Sequence, residues 1–232
     1  MKARDLETGG LEVGTLDRSS FLRGALAGAT ALTLGGALSG CATSSPGQPR
    51  PDREDHAGGL KVLLAYFSRA GENYYYGGTR DLKVGNTEVL ANMISKHVRV
   101  DVRRMRAAKP YPSSYRETVE RNVREQNADA RPPISNPLKS IEPYDVVLLG
   151  SPIWNVRPPM IMSTFAESYD FSGKTIYPFV TYAVSELGTT VQGYSAACPG
   201  AKIGQGLAIR GERVRSADRA VEAWLRRVNL LR

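Results

Sequence analysis

The chain has 232 residues, a formal net charge of +8, 41% hydrophobic residues and 23% charged residues. That balance is globular and excludes a collagen-like or wholly disordered chain, while two cysteines are too few for a disulfide framework. Two histidines, His56 and His97, leave little material for a zinc site or a Ser-His-Asp machine.

Residues 1–23 are polar and end on Arg18 and Arg23, and residues 24–38 (GALAGATALTLGGAL) are small or apolar. This run is too short to span the ~30 Å hydrocarbon core of a bilayer, and its length suits the apolar region of an export signal. Leu38-Ser39-Gly40-Cys41 comes directly after it and resembles the lipobox of bacterial lipoproteins. The resemblance implies lipidation of Cys41, a membrane anchor through that lipid, and an exported location at the outer face of the bacterial cytoplasmic membrane. A plain signal peptide with an incidental cysteine is the alternative. Arg18-Ser19-Ser20-Phe21-Leu22-Arg23 also resembles a twin-arginine export signal but has Ser19 at the second arginine, so the general secretory route stays open beside it. Residues 42–58 (ATSSPGQPRPDREDHAG) are a linker, too poor in apolar residues to fold, and His56 is a solvated residue within it. In residues 1–41, Lys2, Arg4, Arg18 and Arg23 balance Asp5, Glu7, Glu12 and Asp17, so the positive charge belongs to residues 42–232. With Cys41 lipidated, Cys198 is left as a lone thiol.

Residues 59–232 read as one α/β domain. Residues 60–67 (LKVLLAYF) are a near-continuous apolar run, as in a buried parallel strand. Residues 86–98 carry Val89, Leu90, Met93, Ile94 and His97 or Val98 at helical spacing, with Asn86 or Thr87 as the cap and Glu88 in the first turn. A strand is expected near 99–105. A polar helix over 113–127 carries a Ser114–Glu117 capping box. Residues 145–150 (DVVLLG) are the next buried strand, followed by a helix over 159–169, a strand over 175–181, a loop, a strand over 202–209 and a closing helix over 216–228. Alternating strands and helices imply a parallel sheet with right-handed crossovers. The arginines are dispersed, with no basic-aromatic cluster or helix-turn-helix pattern, so nucleic acid is not an expected partner. The esterase motif G-x-S-x-G is absent.

Ligands of open α/β sheets bind beyond the carboxyl ends of the strands. Three such ends are informative. Ser68-Arg69-Ala70-Gly71-Glu72-Asn73, with Gly85-Asn86-Thr87 at a helix start, suits an anion through backbone N–H groups, hydroxyls and the helix dipole. Gly150-Ser151-Pro152-Ile153-Trp154-Asn155 can present a flat indole at the end of a core strand, and Trp154 as a core residue is the plainer alternative. The Gly-, Ser- and Thr-rich run from Thr181 to Thr190 carries Tyr182 and can bring backbone close to a planar polar ring.

On Ala65-Tyr66-Phe67-Ser68-Arg69-Ala70-Gly71, Gly85-Asn86-Thr87-Glu88 and Gly150-Ser151-Pro152-Ile153-Trp154-Asn155, the chain resembles the flavodoxin family, in particular its exported, lipoprotein-like branch. The resemblance runs from about Leu60 to the end of the chain. It implies a flavodoxin-like three-layer α/β sandwich, a five-stranded parallel sheet in the order 2-1-3-4-5 and FMN at the switch point. It also implies a phosphate loop of Ser68, Arg69, Ala70, Asn86 and Thr87. The first ring-contacting loop would be Pro152, Ile153, Trp154 and Asn155, with Trp154 stacked on the ring. The second would be Thr181, Tyr182, Ala183, Ser185 and Gly188.

The chain departs from the family twice. Residues 73–84 (NYYYGGTRDLKV) are an insertion, either a flap over the cofactor or a surface hairpin packing its own tyrosines. The positive charge also differs from the acidity usual in electron-carrying flavodoxins. Arg69 could pair with a phosphate or point to solvent while its backbone binds. Cys198 is expected to cap or pack, and His97 to sit at a helix end. The expected function is electron transfer by an FMN-binding redox protein whose partner is another redox protein or a quinone-type small molecule. An FMN-dependent quinone or NAD(P)H reductase and a flavin-free binding lipoprotein of the same fold are the alternatives.

Overall fold

The computed structural model describes residues 59–231. The expected export signal, Cys41 and the linker with His56 lie outside these residues.

Strand β1 (Val62–Phe67) and strand β5 (Val146–Pro152) pair in parallel, Leu64 opposite Leu148. Every residue of β1 is buried, as a central strand covered on both faces requires. Side chains alternate between faces. Val62, Leu64 and Tyr66 join one core with Leu90 and Ile94 of α1 (Asn86–His97) and Val221, Trp224 and Leu225 of α5 (Asp218–Arg227). Leu63, Ala65 and Phe67 join the other with Ile161, Met162 and Phe165 of α3 (Met160–Glu167). The result is a three-layer sandwich with two cores back to back.

Strand β4 (Asp101–Met105) forms one edge, and β6 (Thr175–Tyr182) pairs with β5 on the other side and with β7 (Lys202–Ile203) beyond it, giving the order β4-β1-β5-β6-β7. Renumbered over these strands alone, this is the expected 2-1-3-4-5. The fifth position is divided where one strand over 202–209 was expected: β7 (Lys202–Ile203) and β8 (Leu207–Arg210) both lie parallel to β6. Between them the Gln205 carbonyl accepts a 2.8 Å hydrogen bond from Trp224 Nε1, satisfying a fully buried indole.

The insertion is a hairpin, β2 (Gly71–Tyr75) with β3 (Gly78–Leu82), whose Tyr75 and Tyr76 rings meet edge-on at 4.9 Å. Helix α2 (Tyr115–Asn127) is capped as expected, Glu117 N donating to Ser114 Oγ at 3.4 Å. Helix α4 (Thr190–Ala197) stands where a loop was expected. Its Gly, Ser and Thr content is poor for a helix, and burial of Thr190 and Tyr194 holds it instead. A 3₁₀ turn, Gly211–Ser216, precedes α5. His97 ends α1 and meets Asp218 Oδ1 at 2.9 Å, joining the two helices of that layer.

Candidate functional site

Strands β1, β5 and β6 end on one side of the sheet, and their following loops enclose a cavity of about 510 Å³. At its first end, α1 is capped one residue earlier than expected. Gly85 is the N-cap, while Asn86 and Thr87 are the first helical residues. The physical reason is crowding: a Cβ on residue 85 would stand 2.3 Å from the Arg69 carbonyl oxygen and 2.4 Å from Ser68 Oγ. Ser68 does the capping from across the loop, accepting a 3.1 Å hydrogen bond from Glu88 N. Among the described residues the N–H groups of Asn86 and Thr87 have no acceptor. The Ser68 hydroxyl proton has none either. Three donors therefore converge at a helix N-terminus, where the dipole favours an anion.

The Thr87 hydroxyl already has a partner. It lies 2.8 Å from that of Thr181, both buried, and ties the start of α1 to the end of β6. The Arg69 guanidinium follows neither expected course. It donates to the carbonyls of Pro112 at 2.9 Å and Ser113 at 3.0 Å, and to that of Glu72, bracing the hairpin against the approach to α2. Burial holds its pKa below the ordinary arginine value, with Glu72 opposing the shift. Ala70 does not line the cavity.

At the other end, the loops after β5 and β6 are knitted together. Ile153 N donates to the Thr181 carbonyl at 2.9 Å, and Thr189 N donates to the Val156 carbonyl at 2.9 Å. Gly188, at φ +50°, lies against that carbonyl. A Cβ there would come within 2.0 Å of it, so Gly188 shapes the loop without lining the cavity. Asn155 and Val156 have φ of 50° and 62°. For β-branched Val156 this is a strained backbone of about 1–3 kcal/mol, a kind of strain that clusters at functional sites. Gln126 of α2 steadies the turn, donating to the Trp154 carbonyl at 3.0 Å and accepting from Asn155 Nδ2 at 3.0 Å.

Trp154 is half-buried and lines the cavity. Its indole packs against the rings of Phe67 at 5.8 Å and Tyr111 at 5.2 Å, both steeply tilted. Arg121 lies over the Tyr111 ring at 3.8 Å, and the Tyr111 hydroxyl donates to Glu125 at 2.7 Å. Burial, then Glu125, push the phenol pKa far up, so this support under the indole stays neutral. Pro152, Ile153, Asn155, Thr181, Tyr182, Ala183 and Ser185 also line the cavity, as do Ser68, Arg69, Asn86 and Thr87.

The sequence reading did not reach the α2 wall, formed by Tyr115, Thr118, Val119, Asn122 and Val123, nor Asn73, Tyr74, Gly211 and Glu212. Asn122 is only 3% exposed and its Oδ1 has no hydrogen-bond partner. The signal was Val119 and Val123, two valines at i and i+4 on an otherwise polar helix. They stay exposed, with Val156 and Val184, as an apolar collar at the cavity mouth. Cys198 is buried, and burial raises its thiol pKa to about 12. Among the described residues no group of three or more His, Cys, Asp or Glu side chains could hold a metal, and no helix is long and apolar enough to cross a membrane.

A family model described as Flavodoxin matches residues 61–228. Two solved structures are similar at 28% identity. A candidate flavoprotein of Bacteroides eggerthii DSM 20697 has a TM-score of 0.60 and covers 74% of this chain and 99% of its own. One of Bacteroides uniformis ATCC 8492 has a TM-score of 0.59 and covers 72% of this chain and 99% of its own. No curated protein matches the chain.

Proposed function

The chain belongs to the flavodoxin family, and from that premise we propose that it is an FMN-binding electron-transfer protein, anchored through a lipid on Cys41 to the outer face of the cytoplasmic membrane. One observation carries the cofactor. A cavity of about 510 Å³, within the usual size for a cofactor site, has unaccepted donors at a helix N-terminus at one end and a half-buried indole at the other. FMN, a planar ring joined through a polyol to a phosphate, matches that sequence of chemistries. When bound, it supplies reversible uptake of one or two electrons.

The chain's own residues bind and tune. Ser68 Oγ–H and the N–H groups of Asn86 and Thr87 hold the phosphate without a cationic side chain. Arg69 is engaged by three carbonyls and keeps the loop in shape. Trp154 and Tyr182 exclude water from the ring and so disfavour added negative charge on it. The loop joints Ile153–Thr181 and Val156–Thr189 fix the spacing between the two ring-contacting loops. Asn122, buried with an unpaired amide oxygen, offers a hydrogen-bonding group along the α2 wall.

A second reading, an FMN-dependent quinone or NAD(P)H reductase, draws on the collar of Val119, Val123, Val156 and Val184. Its apolar rim at the mouth suits a small apolar acceptor. Stopped-flow mixing of the loaded protein with NAD(P)H and with quinols distinguishes it. Rapid multiple turnover with a quinone identifies a reductase, and reduction without turnover identifies a carrier. The flavin reading itself is tested by titrating the apoprotein with FMN while following tryptophan emission. The expected result is quenching that disappears in Trp154→Phe, with buried Trp224 as the residual signal. A colourless protein that takes up no FMN sinks the proposal and leaves a flavin-free binding lipoprotein. Cys41→Ser tests the anchor and should move the protein from the membrane fraction to the soluble one.

A further inference from the structure

The cavity does not close at the start of α1. Asn73, Tyr74, Asn86, Gly211 and Glu212 line both it and a second pocket of about 230 Å³ between the hairpin and the 3₁₀ turn. This volume is below the roughly 300 Å³ of a complete small-molecule site and suits part of a ligand whose remainder lies elsewhere. Arg80, Lys83 and Arg215 line it and outnumber the acids Asp81 and Glu212. None of these three cations forms an ion pair among the described residues. Arg80 lies 4.9 Å over the Tyr75 ring, so an extended guanidinium face is already ordered at the pocket wall.

Glu212 stands at the junction. Its side chain is 1% exposed. Oε1 accepts from Tyr76 N at 3.2 Å, while Oε2 forms an ion pair with Arg210 Nε at 3.6 Å but accepts no hydrogen bond. A carboxylate oxygen accepts only, and leaving one buried without a hydrogen bond is costly. With Arg210 already supplying charge, what is missing is a hydrogen-bond donor, which a phosphate dianion is not. A sugar hydroxyl is one, as in other α/β nucleotide sites where an acid holds a ribose.

From the helix start outward, the groove therefore presents anion donors, then an acceptor for a hydroxyl, then unpaired cations beside a tyrosine. We infer that the flavin site extends to a dinucleotide: it accepts flavin adenine dinucleotide, with the adenylate half in the second pocket and a ribose hydroxyl on Glu212. This rests on the proposed flavin binding and changes what that site selects.

The full-length apoprotein is titrated calorimetrically with FMN, with FAD, and with AMP on the FMN-loaded protein. FAD is expected to bind at least as tightly as FMN. Arg80→Ala/Lys83→Ala, on an exposed hairpin, should weaken FAD by about tenfold or more, the loss of charge-assisted contacts, and leave FMN within about twofold. The inference is overturned if FAD binds more weakly than FMN, or if the double variant weakens both alike. It is also overturned if AMP binds the FMN-loaded protein while FAD gains nothing over FMN, which marks a separate nucleotide site. Uptake of neither flavin removes the flavin reading itself. Uptake of FMN with rejection of FAD removes only the extension.

Discussion

Ser68 Oγ accepts from Glu88 N and its own proton has no acceptor, so in the proposed function one hydroxyl both caps α1 and binds the phosphate. Ser68→Ala separates these roles by size. Loss of the cap costs about 0.5–2 kcal/mol of stability. Loss of a hydrogen bond to a charged oxygen, about 1.5–3 kcal/mol, weakens FMN by tenfold or more. Urea unfolding of the apoprotein reads the first, and FMN titration reads the second. An unchanged FMN affinity would place the phosphate elsewhere. Cys198 makes a different point about burial. Its thiol is raised to about 12 in the folded protein, against about 8.5 in an unfolded chain. Between those values the unfolded state releases the proton and the folded state keeps it, so the unfolded state binds fewer protons and stability falls as pH rises. The stability contributed by the neutral buried thiol is complete below about pH 8 and declines toward pH 12. Cys198→Ala should flatten that part of the unfolding curve against pH, and the wild-type thiol should stay unreactive to alkylating reagents at pH 8 until denaturant is added.

Elements are legible to the degree that their own residues decide their burial. β1 and β5 read directly because both faces are covered and nearly every residue is apolar. α1 reads directly because Leu90, Ala91 and Ile94 make one buried stripe. α4 does not, because Gly193 and the surrounding Ser and Thr favour loops and only packing on α3 and β7 overrides them. The divided fifth strand is likewise a tertiary result: the break leaves the Gln205 carbonyl to accept from the buried Trp224 indole. At the site, the three strand-end loops were legible as loops with special residues. The α2 wall was not, since a polar helix with two valines reads as solvated until a cavity faces it. The hairpin lies between these cases: its turn was visible in Gly77-Gly78, but its fastening was not. Arg69 holds one end through three carbonyls and Glu212 holds the tip at Tyr76 N. Arg69→Ala should therefore release the hairpin without unfolding the sheet. Limited proteolysis would then cut within residues 71–82 at least several-fold faster than in the wild type, while far-ultraviolet dichroism stays near native. Equal cleavage rates would mean that strand pairing, Glu212 at the tip and the Glu72 contacts to Ser113 and Tyr115 hold the hairpin without Arg69.

On the scale of the whole molecule, the formal charge of +8 bears on the choice between the two functional readings. Long-range attraction raises the rate at which oppositely charged proteins meet, and salt screens it over a Debye length of about 8 Å at physiological ionic strength. A basic carrier gains by this only with an acidic partner, the reverse of the acidic carriers usual in the family. A small neutral quinone feels little of that field, and its approach is governed by the apolar collar of Val119, Val123, Val156 and Val184. The salt dependence of electron delivery separates the cases on one preparation. For the carrier reading, the second-order rate toward an acidic redox protein should fall several-fold between about 0.01 and 0.15 M salt, while the rate toward a neutral quinone stays within about twofold. Val184→Asp, at a side chain 74% exposed, should slow the quinone and spare the flavin spectrum. A salt-independent rate with the protein partner, together with fast and Val184-sensitive turnover of the quinone, would transfer the assignment from carrier to reductase.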